Sequence, residues 1–255
     1  MYHRVIGCCL FITLIGFLPR VEAGHYELVT FEFPPLEYTG KDGKLQGAAV
    51  EIITEAFESA GHSVTIRSFP WTRSLRMVKN GEVDAIFTAY KNPEREKFLD
   101  YSQQVLIPQI VGFFARKESH LIFNGNLDQL STVEIGTVST ISYGQKFDKV
   151  KSKLKLQRAN TLQRNFERLI RGRLDLVISN IYVADHTLRQ MGLKNEVKPL
   201  FPRIQSVPSY IAFTKKKPLV ELRQQIDNQL LKMKQGGRYQ AIMDKYGGQK
   251  APLSP

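Results

Sequence analysis

Two segments of this chain, LRMVKNGEVDAIFTA at 75–89 and FERLIRGRLDLVISN at 166–180, line up when Gly81 is placed on Gly172. Asp84 then falls on Asp175, and the apolar runs AIF and LVI coincide. In each segment a glycine follows a helical pattern and leads into a strand. That suits a left-handed helix cap, a conformation glycine adopts without steric cost. A chain that makes this junction twice is constrained to a repeated α/β unit. The flanking periodicity agrees: strands are expected at 28–33, 64–68 and 83–88, and helices at 48–60 and 71–78. The order βαβαβ belongs to a mostly parallel sheet flanked by helices.

The repeat makes Thr88-Ala89 and Ser179-Asn180 equivalent carboxyl ends of strands. Open α/β sheets bind ligands outside such ends, and pockets favour the interface between two domains. Thr88, Ala89 and Tyr90 are therefore expected to line a cleft from one side and Asn180 from the other. At 255 residues the chain is long enough for two lobes.

The amino end, MYHRVIGCCLFITLIGFLPRVEAG, places Arg4 before an apolar run from Val5 to Leu18, with Val21 and Ala23 suited to signal peptidase. Residues 1–23 read as a cleaved secretory signal, too short for a spanning helix. Both cysteines, Cys8 and Cys9, fall inside it, so the exported part has no disulfide, thiol nucleophile or Cys-ligated metal. The formal charge of +12 stays strongly positive without Arg4, Arg20 and Glu22. KVKSKLK at 149–155 and KKK at 215–217 lack interleaved aromatics and read as solvated surface, so no nucleic acid is expected. His25, His62, His120 and His186 are isolated, and no phosphate-binding glycine loop appears. Neither a metal nor a cofactor is expected.

Several ordered stretches resemble the bacterial periplasmic solute-binding proteins of the polar amino-acid transport type, family 3. They are FEFPPLEYTGKDGKLQGAAVEIITEAFESAG, NGEVDAIFTAYKNPEREKFLDYS, GRLDLVISN and YIAFTKKKPLVELRQQIDNQLLKMKQGGRYQAIMDKYGG. The resemblance covers nearly the whole chain beyond the signal. It implies a type II periplasmic-binding-protein fold: two α/β lobes, each a mostly parallel mixed sheet flanked by helices, joined by two crossover strands. The implied boundaries are 24–113 with 208–255 for lobe one and 114–207 for lobe two, with VGFFARK (111–117) and SYIAFTK (209–215) as crossovers. It also implies a periplasmic, monomeric, non-enzymatic protein that captures a small polar, carboxylate-bearing solute. Its partner would be the membrane permease of an ABC transporter or a separate sensor receptor.

The resemblance also assigns roles. Arg95 stands where the family holds the ligand carboxylate, and a guanidinium offers two parallel donors to such a group. Trp71 and Phe33 stand at aromatic positions on either side of the ligand, with Tyr38 nearby, although core packing explains the same letters. Arg73 is a weaker candidate for an anionic group. Ser139 and Thr140 in GTVSTISYG match a strand-to-helix turn with free amides and hydroxyls, and N-capping accounts for them equally. Two departures stand out: Asn180 replaces the acid that pairs with an amino acid's ammonium, and Asn92 replaces a threonine in KNPER. Asp185 is a possible substitute acid. An alternative is an enzyme on the same fold, similar to the cyclohexadienyl dehydratases, with Glu37, Asp185 or His186 as general acid.

Overall fold

The computed structural model describes residues 23–139 and 143–246. The expected signal up to residue 22, with Cys8 and Cys9, and the expected site residue Thr140 lie outside the described residues.

The first unit contains β1 (His25–Thr30), a ribbon of β2 (Tyr38–Thr39) and β3 (Leu45–Gln46), α1 (Ala48–Ser59), β4 (Ser63–Ser68), α2 (Trp71–Asn80) and β5 (Ala85–Tyr90). β1 pairs in parallel with β4 and β5, which makes the expected βαβαβ unit. β1 stops at Thr30, short of Phe33, because the FPPLEY stretch closes on itself: the Phe33 N–H donates to the Glu37 carbonyl at 2.6 Å and the Leu36 N–H to the Phe33 carbonyl at 2.9 Å. α1 buries Ala49, Ile52, Ile53, Ala56 and Phe57, the stripe that a period of 3.6 predicts.

The chain continues through α3 (Pro93–Glu96), β6 (Leu99–Tyr101), β7 (Ile107–Arg116), β8 (Glu134–Val138), α4 (Gln145–Asp148), β9 (Lys155–Ala159), α5 (Leu162–Ile170) and β10 (Leu176–Asn180). It ends with α6 (Ile181–Gln190), β11 (Val197–Pro199), β12 (Gln205–Thr214), α7 (Val220–Gln235) and α8 (Arg238–Lys245). β8 pairs in parallel with β9 and β10, so the second unit repeats the first. The strand order is β4-β1-β5-β12-β7-β10-β8-β9, and each half reads the same from its outer edge inward.

The two junctions match in detail. Gly81 and Gly172 have φ of 80° and 68°. The Glu27 N–H donates to Asp84 Oδ2 at 2.7 Å, and the Asp84 N–H returns a bond to the Glu27 carbonyl at 2.8 Å. In the second unit the Glu134 N–H donates to Asp175 Oδ2 at 2.9 Å, and the Asp175 N–H to the Glu134 carbonyl at 3.0 Å. The repeated aspartate thus clamps the entry of one strand to its neighbour.

β7 and β12 carry the chain between the halves. Ile107–Val111 of β7 pair antiparallel with Gln205–Ser209 of β12. Beyond that ladder β7 pairs with β10 and β11, and β12 with β5 and β6. The expected crossovers VGFFARK and SYIAFTK fall largely within β7 and β12, starting at the ends of this ladder, whose own positions include the polar Gln109, Gln205 and Ser209.

One apolar cluster runs along a single face of the sheet, from Ile52 and Phe57 through Ile107 and Ile110 to Phe166 and Leu188. The opposite faces are covered separately, by Val29, Met77 and Val78 in one half and by Phe113, Phe123 and Phe147 in the other. α8 closes against α1, where Arg238 pairs with Glu51 and Glu55. Among the described residues no helix is long and apolar enough to cross a membrane.

Candidate functional site

The carboxyl ends of β5 and β10 meet at a cavity of about 580 Å³. One wall is aromatic and continuous. Phe33 stacks on Phe31 with ring centres 5.7 Å apart, Phe31 and Trp71 meet in a T-shaped contact at 5.2 Å, and the Arg95 guanidinium lies 4.8 Å from the Trp71 ring centre. Trp71 is the first residue of α2, and Pro70 before it, with φ −52° and ψ 137°, is the N-cap.

Arg95 is placed by a short helix and fixed by two contacts. Asn92 caps α3 by accepting from the Arg95 N–H at 2.9 Å. Asparagine is as good an N-cap as threonine, so the departure in KNPER keeps the turn intact. Arg95 Nη1 donates to the Tyr90 carbonyl at 3.0 Å while the guanidinium rests on Trp71. Of its acidic neighbours, Glu94 pairs with Lys97 at 2.7 Å. Among the described residues no carboxylate pairs with Arg95, which leaves guanidinium donors for an anion.

Thr88 and Tyr90 line the cavity from β5. Thr88 is the single non-glycine residue with positive φ among the described residues, at 53°, a costly conformation for a β-branched side chain. Behind it Glu37 is wholly buried. Burial pushes the Glu37 carboxyl well above the usual carboxylate range, and its Oε2 has no partner. The Thr88 hydroxyl contacts both Glu37 Oε1 and, at 2.7 Å, the Phe87 carbonyl. A hydroxyl has one proton, so a neutral Glu37 completes the set by donating to Thr88 while Thr88 donates to Phe87. Ala89 is a correction: it is fully buried with Val29, Val78 and Ala212, because alternation along β5 turns it to the opposite face.

The other wall comes from β7, β10 and the start of α6. Asn180 lines the cavity, but its amide is already used. Its Oδ1 accepts from the N–H groups of Tyr182 and Val183 at 2.9 and 3.3 Å, capping α6, and its Nδ2 donates to Gln109 Oε1 at 2.8 Å. Asp185, the possible substitute acid, is buried and tied to Arg189 and Lys194. Ser139 is also displaced from the expected site: it is exposed, and its N–H donates to the Ala159 carbonyl at 3.0 Å, holding β8 to β9. Tyr38 and Arg73 lie outside the cavity lining. The Tyr38 ring packs 5.9 Å from His186 of α6, and Arg73 covers Phe69. None of Glu37, Asp185 and His186 lines the cavity.

Ser179, at the strand end the repeat points to, also lines the cavity, and five further described lining residues were not anticipated: Phe31, Gln109, Val111, Tyr143 and Val183. Two had a readable signal. Phe31 alternates with Phe33, and Gln109 is a lone polar residue in the apolar run LIPQIVGFF, where it is 2% exposed. Tyr143 accepts from the Val138 N–H at 2.7 Å, so its own proton is free to point elsewhere.

The sequence profile of the bacterial extracellular solute-binding proteins, family 3, matches residues 28–249. The chain belongs to that family. The L-cystine-binding protein TcyA of Bacillus subtilis (strain 168) is 24% identical over 220 residues, covering 85% of this chain and 78% of TcyA. Among solved structures, the L-cystine solute receptor of Neisseria gonorrhoeae in its unliganded open conformation gives a TM-score of 0.75. It has 19% identity and covers 92% of this chain and 98% of that one. The Lactococcus lactis GlnP substrate binding domain 2, also open, gives 0.74 at 16% identity, with 89% and 97% covered. This family 3 chain therefore has the two-lobed type II fold, with helices on a mixed sheet and β7 and β12 as its crossover strands.

Proposed function

We propose that this chain is a non-enzymatic capture protein that takes a small carboxylate-bearing solute into the cleft between its lobes and delivers it to a membrane permease of ABC type. In this reading lobe one comprises 24–113 with 208–255, lobe two comprises 114–207, and a cleaved signal exports the chain to the periplasm. The observation that carries the proposal is Arg95, held on Trp71 and the Tyr90 carbonyl at the cavity wall without a carboxylate partner among the described residues. A guanidinium set in that way binds a carboxylate through paired, charge-assisted hydrogen bonds. The adjoining recess of about 920 Å³ brings Lys91, Lys146 and Lys149 to the mouth, a field that attracts anions. Acid catalysis has less support, because each candidate acid stands outside the cavity lining.

The test is a thermal-shift screen of small carboxylates against uncharged and cationic solutes, with mass spectrometry of any ligand released on denaturation. A bound carboxylate at a hundred times its Kd stabilises the fold by about 2.7 kcal/mol. Stabilisation by cations or neutral solutes alone would contradict the proposal.

A further inference from the structure

We infer that the preferred solute is a carboxylate with an apolar or aromatic body and no ammonium group, an amine-free acid rather than an α-amino acid; this rests on the anchoring of a carboxylate at Arg95 proposed above. The cavity is lined by one cation, Arg95, and among its described lining residues there is no carboxylate. An α-amino acid held at Arg95 by its carboxylate would bring an ammonium into the same cavity, beside a guanidinium and with no acid to receive it. A buried ammonium without an acceptor is costly, and like charge nearby adds to the cost.

The carboxylates nearest the cavity, and the amide that stands at the Asn180 position, are committed elsewhere. The Asn180 carbonyl oxygen caps α6, and its NH₂ group donates to Gln109, which leaves Asn180 little to offer a cation. Asp185 is paired with Arg189 and Lys194 and does not line the cavity. Glu37 is fully buried behind Thr88 and does not line the cavity. The one carboxylate lining the adjoining recess, Asp148, pairs with Lys151 at 3.6 Å. What the cavity does offer is aromatic and aliphatic surface from Phe31, Phe33, Trp71, Tyr90 and Val111, with hydroxyl donors at Tyr143 and Ser179. Such walls fit a flat or branched hydrocarbon body, and the hydroxyls suit an oxo or hydroxy substituent in place of an amine.

The experiment compares matched pairs by calorimetry on the full exported chain: L-phenylalanine against 3-phenylpropanoate and phenyllactate, and L-leucine against 4-methylpentanoate, with L-cystine as a separate arm. The amine-free member of at least one pair is expected to bind about tenfold or more tightly than its amino acid. Asn180→Asp keeps the α6 cap, since aspartate caps as well as asparagine, and adds a carboxylate to the wall. That variant is expected to shift the preference back toward the amino acid by a similar factor. Equal or tighter binding of the amino acids or of cystine by the wild-type protein overturns this inference alone. Failure of every carboxylate to bind, aminated or not, overturns it together with the Arg95 reading.

Discussion

Thr88 holds φ at 53° at the cavity wall, and Glu37 sits sealed behind it. The carboxyl of Glu37 is raised well above its reference value of 4.5 in the folded chain. Below that value both folded and unfolded states hold the proton, and its stabilising effect is complete. As pH rises past 4.5 the unfolded chain loses the proton while the folded one keeps it, so stability falls until the folded group also ionises. Glu37→Gln lacks this proton, and its melting temperature relative to wild type should improve steadily as pH is raised from 4 to 8. A constant difference across that range would show that Glu37 is charged in the folded protein. At this scale Arg95, Trp71, Phe33, Thr88, Tyr90 and Asn180 were legible and reach the cavity wall. Ala89 was not, because a cleft position was inferred for three consecutive residues although strand side chains alternate. Ser139 sits at a strand edge, and the lettering of a turn does not distinguish an edge from a cleft.

The elements that aim the site depend on a few backbone positions. Gly47 has φ 132° and ψ 168°, a region open essentially to glycine, and a Cβ there would stand 2.3 Å from the Leu36 carbonyl oxygen. The same carbonyl accepts from the Ala49 N–H at 2.8 Å, which ties FPPLEY to the start of α1. Gly47→Ala should therefore cost at least about 1 to 3 kcal/mol of stability and displace the turn that carries Phe33 and Glu37. Chemical denaturation gives the first quantity. A substitution that leaves the midpoint unchanged would show that this backbone can relax. Asp84→Ala and Asp175→Ala should each cost about 1 to 3 kcal/mol by freeing the strand-entry amides of Glu27 and Glu134. Asp84 also pairs with Lys217 at 2.6 Å, so a cost at Asp84→Ala smaller than at Asp175→Ala would contradict this account. These junctions were the most legible part of the fold, because glycine, aspartate and the apolar run at fixed offset each have a local physical cause. The crossover ladder was less legible. Its pairing joins residues far apart in the chain, and its polar positions imitate loop.

At the scale of the molecule, the crossover strands join two similar halves whose facing strand ends enclose the cavity, an arrangement suited to closure about a hinge. Small-angle scattering should show a smaller radius of gyration when a bound carboxylate is present, and no change with a solute that fails to stabilise the fold. The central claim is that Arg95 holds that carboxylate. Calorimetric titration of wild type and Arg95→Ala with the same stabilising acid tests it most directly. A loss of about 2 to 5 kcal/mol of binding free energy in the variant is predicted, as for one partner of a buried charge pair. Unchanged affinity in a folded Arg95→Ala protein would contradict the account.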